Sequence, residues 1–542
     1  MKAGYKKIIA ALLIGFISTN CFAQKNGNGI GNEEVIVVKE YEATIQDAQK
    51  INIQPDIPEV EETKPKLDYS IPQKDFKDVS FEPNPARPLS ISKEKLEHYN
   101  SSFIKVGFGS QIMPLIQLAY NDNKTQNLKF GFSYDHLSAQ PFKVKNQSFS
   151  NDLAGAYVKF FPEKLEIGAD FTFHNYLTHF YGTDSLYSEK QVRQQLRNYY
   201  ASVYLKNAQK NKANIDFGQT LNFDYFQETF GHAHEWYMAG TTNFQKTIAE
   251  YHTITASFNF DVSELKSKGD SPTLQRNLFT PMVGYAFNND DWRAHAKFGL
   301  TIDGSKVFFV TNLHIEKRLY EHALIAYLSY LRYDQKNSLS SYAYNNNFIQ
   351  NSVSIKNSVT GDFGVGLKGT VQNFSYNVAF HLNQINNLPL FVNDSMDMKH
   401  FNVVYDSNTL IYNFHFEAGY NVREWLRFLV IGDYNGYQLK NNLYAWHDPN
   451  FTLTFRTKYI WKNKISATAD IYGVTSSYAL LPENTVKKLS GTIDANLAVE
   501  YLFNKHLSFF ISLNNIANIK YPPWYHYQTY GINGMIGGKF SF

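Results

Sequence analysis

From about Ser101 to Phe542 the chain alternates apolar and polar residues in runs of about 10 to 15, separated by short polar breaks. Leu165, Ile167, Ala169, Phe171 and Phe173 interleave with Glu166, Gly168, Asp170, Thr172 and His174. In an extended strand, successive side chains point to opposite faces, so one face suits lipid and the other water. The same pattern runs through Ile254, Ala256, Phe258, Phe260 and Val262 against Thr253, Thr255, Ser257, Asn259 and Asp261, with His252 expected at a membrane interface. Leu489, Gly491, Ile493, Ala495, Leu497, Val499, Tyr501 and Phe503 form a third example. Strands of a soluble sandwich also alternate, but they average about 5 to 6 residues. The longer runs and their aromatic ends predict transmembrane strands.

Counting back from Phe542, every second connection is short: Asn504-Lys505, Trp461 to Lys464, Val422 to Glu424, Gln372, Lys317 to Tyr320, Asn288 to Asp291, Thr247 to Glu250, Asn207 to Lys210, Phe161 to Lys164 and Asn121 to Gln126. Between them lie longer, aromatic-studded connections such as Tyr176 to Arg193, Gln335 to Gln350, Asn386 to Lys399, Lys440 to Asn450 and Ser476 to Lys488. Strict alternation of short turns and long loops is the signature of an antiparallel transmembrane β-barrel with both ends in the periplasm. The fold expected is therefore all-β, a barrel of about 22 strands within a range of 16 to 22. The stretches near Ser110 to Tyr120 and Asp303 to Lys306 can be divided in more than one way.

Composition supports the same class. Aromatic residues make up 16% of the chain, with 38 Tyr and 43 Phe, while the formal net charge is only +3. Past the leader, no segment approaches the roughly 18 unbroken apolar residues that a membrane-spanning helix needs. The near-neutral balance argues against a nucleic-acid partner. At the N-terminus, Lys2, Lys6 and Lys7 precede the apolar run Ile8 to Ile17, the layout of a secretory signal, and cleavage fits best after Ala23. A lipoprotein reading of Cys21 competes, but Thr19-Asn20 is a poor lipobox. With Cys21 removed, the mature chain has no cysteine for disulfides, thiolate catalysis or metal thiolate ligation. Residues 24–100 carry seven of the 17 prolines and an acidic excess, and form an extended periplasmic or lumen-entering segment; 101–542 form the barrel.

Candidate chemistry is sparse. The best grouping is Gly231-His232-Ala233-His234-Glu235-Trp236, whose histidines at i, i+2 would share a strand face and could touch a metal, but no third or fourth ligand stands nearby. Gly107, Gly109, Gly131 and Gly168 fall on strands, where they ease curvature rather than cradle phosphate. No catalytic set, metal site or cofactor is expected, and the protein is read as a non-enzyme. Asp170, Asp261, Asp494, Glu500, Arg456 and Lys458 would point inward with mixed sign, so no ion selectivity follows. The final strand places Ile532, Gly534, Ile536, Gly538, Phe540 and Phe542 on one face. Phe540 and Phe542 resemble the C-terminal signal read by the barrel-assembly machinery. Trp524, Tyr525 and Tyr527, in an aromatic connection before that strand, are candidate extracellular ligand contacts. They equally suit an aromatic girdle.

The closing stretch Leu507 to Asn518, then Lys520-Tyr521, an aromatic loop and Gly537-Gly538-Lys539-Phe540-Ser541-Phe542, resembles the end of TonB-dependent receptors. Pro449-Asn450-Phe451, leading a strand, adds to the likeness. The resemblance implies a 22-stranded barrel that imports scarce nutrients with energy from TonB. Near the mature N-terminus, Glu34-Val35-Ile36-Val37-Val38 is similar to the box through which such receptors pair with TonB, which β-augmentation would permit. The pattern departs from the family in one respect: the 77 residues of 24–100 are too few and too proline-rich for a plug domain, which is absent or reduced. Two functions follow as expectations. One is passage of a solute across the outer membrane; the other is a non-transporting barrel subunit that docks periplasmic or surface partners.

Overall fold

A computed structural model describes residues 102–542, apart from 123–124, 126, 142, 183–187, 210, 212, 268–272, 351–353 and 397. The leader, the 24–100 segment and the pentamer Glu34 to Val38 lie outside the described residues. Twenty-two antiparallel strands form one closed sheet, from Phe103–Gly109 to Asn533–Ser541. Closure is made by these two strands, which pair from Phe103 opposite Ser541 to Gly109 opposite Met535. A closed ring leaves no unpaired edge, which is the condition for β-structure to cross lipid.

The alternation read from the sequence is the inside and outside of this ring. Phe171, Ile254, Phe258 and Ile493 are exposed on the outer face, and Ile104 and Phe108 stand opposite Phe540 and Ile536 across the closing seam. The polar residues between them line the lumen, where Arg456 and Asp470 face one another and make a bidentate pair at 2.7 and 3.0 Å. The ten short turns fall within a few residues of where the sequence places them, at one end of the ring. Exposed Tyr251, Trp292, Tyr320, Trp425, Trp461 and Tyr501 gather at that end, the position of an interfacial aromatic belt. His252 belongs to this rim as expected, 2.5 Å from the Tyr285 hydroxyl.

Two expectations are corrected. Leu489 and Gly491 do not belong to the strand that follows them: Thr492–Leu502 is the membrane strand, and Leu489 ends a separate hairpin, Ser477–Leu480 with Val486–Leu489. The connection Asn386 to Lys399 is likewise not a plain loop, because Leu388–Asn393 and Phe401–Asp406 pair as a second hairpin outside the ring. Leu489-Ser490-Gly491 continues the two-residue alternation of Thr492–Leu502 in phase, so periodicity alone runs the end of the hairpin into the membrane strand. The ambiguous stretches near Ser110 and Asp303 resolve as tight connections at 110–112 and 304–305.

The strand glycines do more than permit curvature. Gly168 stands opposite Tyr204 on the next strand, and a Cβ there would come within 2.2 Å of its ring. Gly240 with Phe260 and Gly432 with Phe416 repeat the arrangement. In each case the missing side chain is the seat of an aromatic ring. Gly168→Val should therefore cost about 1–3 kcal/mol through overpacking and lower the temperature at which the folded barrel is lost on semi-native gels. Adding Tyr204→Ala should restore most of that loss.

Candidate functional site

The distinctive feature of the molecule lies at the end of the ring that carries the long connections. Connections 180–192, 336–357 and 515–532 leave between strands five and six, thirteen and fourteen, and twenty-one and twenty-two. These exits are eight, eight and six strands apart around the ring. Their aromatic residues nevertheless meet. Phe348 stacks on Tyr527 with ring centroids 3.5 Å apart, Tyr181 packs edge-on to both at 5.9 and 5.1 Å, and Phe180 lies 6.1 Å from Phe348. Loops rooted so far apart can touch only by crossing over the lumen.

The meeting point is a hydrophobic core of its own. Leu339, Ala343, Phe401, Phe180 and Tyr527 are buried there with strand-end residues Leu196, Phe226 and Leu265. Each fully buried side chain of this size contributes roughly 1.5–3 kcal/mol, enough for several loops to hold one arrangement together. Hydrogen bonds cross the same boundary: Tyr527 donates to the Lys399 carbonyl at 2.8 Å and Tyr181 to the Gln528 carbonyl at 2.9 Å. A second cluster, Leu390, Val392, Ala445 and Trp446, ties the 388–406 hairpin to connection 439–450. Buried Asp406 seals that joint by accepting from the backbone N–H groups of Lys440, Asn441 and Asn442 at 3.0, 2.6 and 3.1 Å and from the Thr409 hydroxyl at 2.8 Å. Burial pushes its pKa up, but the converging donors prevail and hold it at about 2.

Connection 336–357 is anchored to the wall as well as to the other loops. It begins with a short helix, Leu339–Asn345, capped by Ser338 and burying Leu339, Tyr342 and Ala343 at helical spacing. Glu235, at the loop end of its strand, accepts from the backbone N–H of Leu339 at 2.8 Å and of Ser340 at 3.3 Å. Its other oxygen takes Arg276 at 2.7 Å, and these two side chains are 2% and 7% exposed. Arg276 also donates to the Asn337 carbonyl. One residue along, Lys336 pairs with Asp261 and lies 4.0 Å from the centre of the Tyr237 ring. Burial lowers the Lys336 pKa to about 8 against the opposing pull of Asp261.

The residues singled out from sequence are distributed as follows. Trp524 packs half-buried against Phe391 and Phe401 at 5.5 and 5.3 Å, and Tyr525 lies against His526. Tyr527 is 1% exposed at the centre of the cap. Phe540 and Phe542 are exposed on the outer face, stacked 6.0 Å apart. His232 and His234 do not share a strand face, because His232 sits in the turn with φ 58° and the strand begins at Ala233. No cluster of three or more metal-ligating side chains occurs among the described residues. The residue of consequence in that motif is Glu235. No local signal marked it, because an acid at a strand end is ordinarily solvated and its loop partners lie 104 and 105 positions further along the chain.

No protein-family model and no curated protein matches the sequence. Solved structures do. The FrpB iron transporter from Neisseria meningitidis superposes with a TM-score of 0.65 at 12% identity, covering 82% of each chain. A ferric enterobactin receptor mutant from Pseudomonas aeruginosa gives 0.64 at 10%, covering 81% of each. The ferric-catecholate import receptor Fiu from E. coli K12 gives 0.64 at 11%, covering 82% of each. The fold is that of the TonB-dependent receptors. At such identities the receptor fold alone is shared, and the cap is described from this chain's own residues.

The Glu235 anchor makes a specific prediction. Glu235→Ala leaves Arg276 buried without its carboxylate and frees the helix N-terminus, a loss of about 3–5 kcal/mol for a broken buried pair. Amide exchange across 336–345 should accelerate strongly while exchange in the membrane strands stays slow.

Proposed function

We propose that this protein is an outer-membrane receptor of the TonB-dependent kind, admitting a solute through a polar lumen whose outer mouth is kept shut by its own loops. The observation that carries the reading is the cap: a full 22-strand ring crossed by loops that meet over its centre. An ungated porin has no use for a buried hydrophobic core across its mouth. The long connections then face the cell exterior and the short turns the periplasm, with the N-terminus on the periplasmic side. The segment 24–100 reaches TonB through Glu34, Val35, Ile36, Val37 and Val38, and Phe540 and Phe542 serve as the signal for the barrel-assembly machinery. Trp524, Tyr525 and Tyr527 become solute contacts when the cap parts. The solved neighbours are named as an iron transporter, a ferric enterobactin receptor and a ferric-catecholate import receptor.

A second reading, a closed barrel that serves as a subunit of an outer-membrane assembly, is favoured by the shortness of 24–100. Conductance in planar bilayers separates the two. The mature chain 24–542 should stay closed, whereas Phe348→Ser with Tyr527→Ser, in a variant also lacking 24–88, should open a large steady pore. If that doubly altered barrel remains closed, the assembly reading replaces uptake. If the unaltered mature chain conducts steadily, the cap is no barrier and the gated reading fails.

A further inference from the structure

The wall is not equally tall all round. Strands five to ten run 14 to 17 residues, whereas the two strands of the closing seam have 7 and 9. Tilted by about 40°, a strand of this longer kind rises roughly 35–40 Å, against an apolar band of about 25 Å. The short-turn ends of strands nine to eleven are held at the rim that carries Tyr251 and Trp292, so the excess stands above the membrane at the long-loop end.

The outer face changes character there. Residues directly opposite one another on neighbouring strands share a face, as do alternate residues along one strand. Phe132, Phe171 and Phe223 are outward and exposed. Two residues nearer the loops, Phe173, Tyr199, Tyr225 and Trp236 oppose one another on strands five to eight, as an interfacial aromatic belt does. Two residues further, Asp152, Asn175, Arg197, Gln227, His234 and Lys266 form a single opposed row across strands four to nine. Side chains knit this row together. Asp152 accepts from Asn175 at 3.0 Å and is held by His136 at 2.6 Å, while Gln195 donates to Asn175 at 2.6 Å and accepts from Arg197 at 3.0 Å.

Continuity with the lipid-facing wall names the occupant. The row adjoins the aromatic belt directly, so what lies against it is the layer just above the acyl chains. Its acids are already matched, Asp152 by His136 and Asn175, and neighbouring Glu264 by Lys266 at 2.6 Å. Arg197, at the centre of the row, pairs with no carboxylate among the described residues. A guanidinium suits phosphate, and amides such as Gln227 both donate and accept, as sugar hydroxyls require. The same strand ends carry the cap on their other face. Leu196, Phe226, Ala233 and Leu265, each one residue from Arg197, Gln227, His234 and Lys266, are buried in the core that the crossing loops share.

We propose that this row is a docking surface for the headgroup of a phosphorylated glycolipid in the outer leaflet, and that the docked lipid steadies the strand ends on which the cap rests. The proposal takes the orientation given above, with the long connections outside the cell, but does not depend on uptake. It is tested by placing the chain 24–542 in nanodiscs of phosphatidylglycerol with and without lipid A and counting retained lipids by native mass spectrometry. Lipid A should be retained about tenfold or more over phosphatidylglycerol. Arg197→Ala with Gln227→Ala should remove most of that preference, whereas Lys246→Ala, at the short-turn end of strand eight, should leave it unchanged. Amide exchange across 226–236 and 336–345 should slow when lipid A is present. The double variant should lose this slowing while its membrane strands stay protected, which shows that it folds. No preference for lipid A, an equal preference in the double variant, or exchange indifferent to lipid A overturns the proposal. A dimer that the double variant abolishes also overturns it, by giving this face to a second copy. Conductance is independent: a barrel that retains lipid A but never conducts removes the uptake reading and leaves this surface in place.

Discussion

The whole wall depends on one pairing. Phe103–Gly109 must find Asn533–Ser541, strands separated by more than four hundred residues, before any backbone group in the ring is safe from lipid. The seam is built for this by alternation on both sides, with Ile104, Val106 and Phe108 outward against Phe540, Gly538 and Ile536. Closure then creates the problem that the rest of the structure addresses, because a ring of 22 strands encloses a lumen too wide for wall side chains to fill. Here the described residues manage it from the long-loop end.

The cap is held by two kinds of force that do different work. Aromatic and aliphatic burial between connections 180–192, 336–357 and 515–532 supplies cohesion without fixing direction. The Glu235–Arg276 and Asp261–Lys336 pairs fix one loop to one sector of the wall. Buried ion pairs add little net stability over a well-packed apolar alternative but are costly to break singly, which suits a joint that must be specific. The cap therefore has a rooted side, at strands eight to ten, and a side held by ring contacts alone, at Tyr527.

Strand number, facing and the position of nearly every short turn were legible in the sequence because lipid on one side and water on the other impose a strict two-residue period. Phe171, Ile254 and Phe540 could be read outward, and Asn259 and Asp261 inward, on that basis alone. What lies beyond the membrane obeys no such rule. The hairpins Leu388–Asn393 with Phe401–Asp406 and Ser477–Leu480 with Val486–Leu489 lie outside the ring, and Leu489-Ser490-Gly491 happens to run in phase with Thr492–Leu502, which drew Leu489 and Gly491 into the wrong element. The cap was illegible for a deeper reason: Phe348 and Tyr527 are 179 positions apart, and nothing local announces that loops from three sectors of a ring will share a core. Tyr527 read as an exposed aromatic for the same reason that Glu235 read as a neighbour of histidines.

The most direct test of the central claim is the distance across the mouth in the intact protein. Residues 24–542 contain no cysteine, so Ser341→Cys with Gln528→Cys in that stretch of chain places spin labels at two exposed sites on loops rooted in different sectors. A closed cap predicts one narrow, short distance distribution in native-like membranes, well under the roughly 40 Å width expected of a ring of this strand number. A broad distribution reaching that width would show loops standing apart around an open mouth, and would contradict the account.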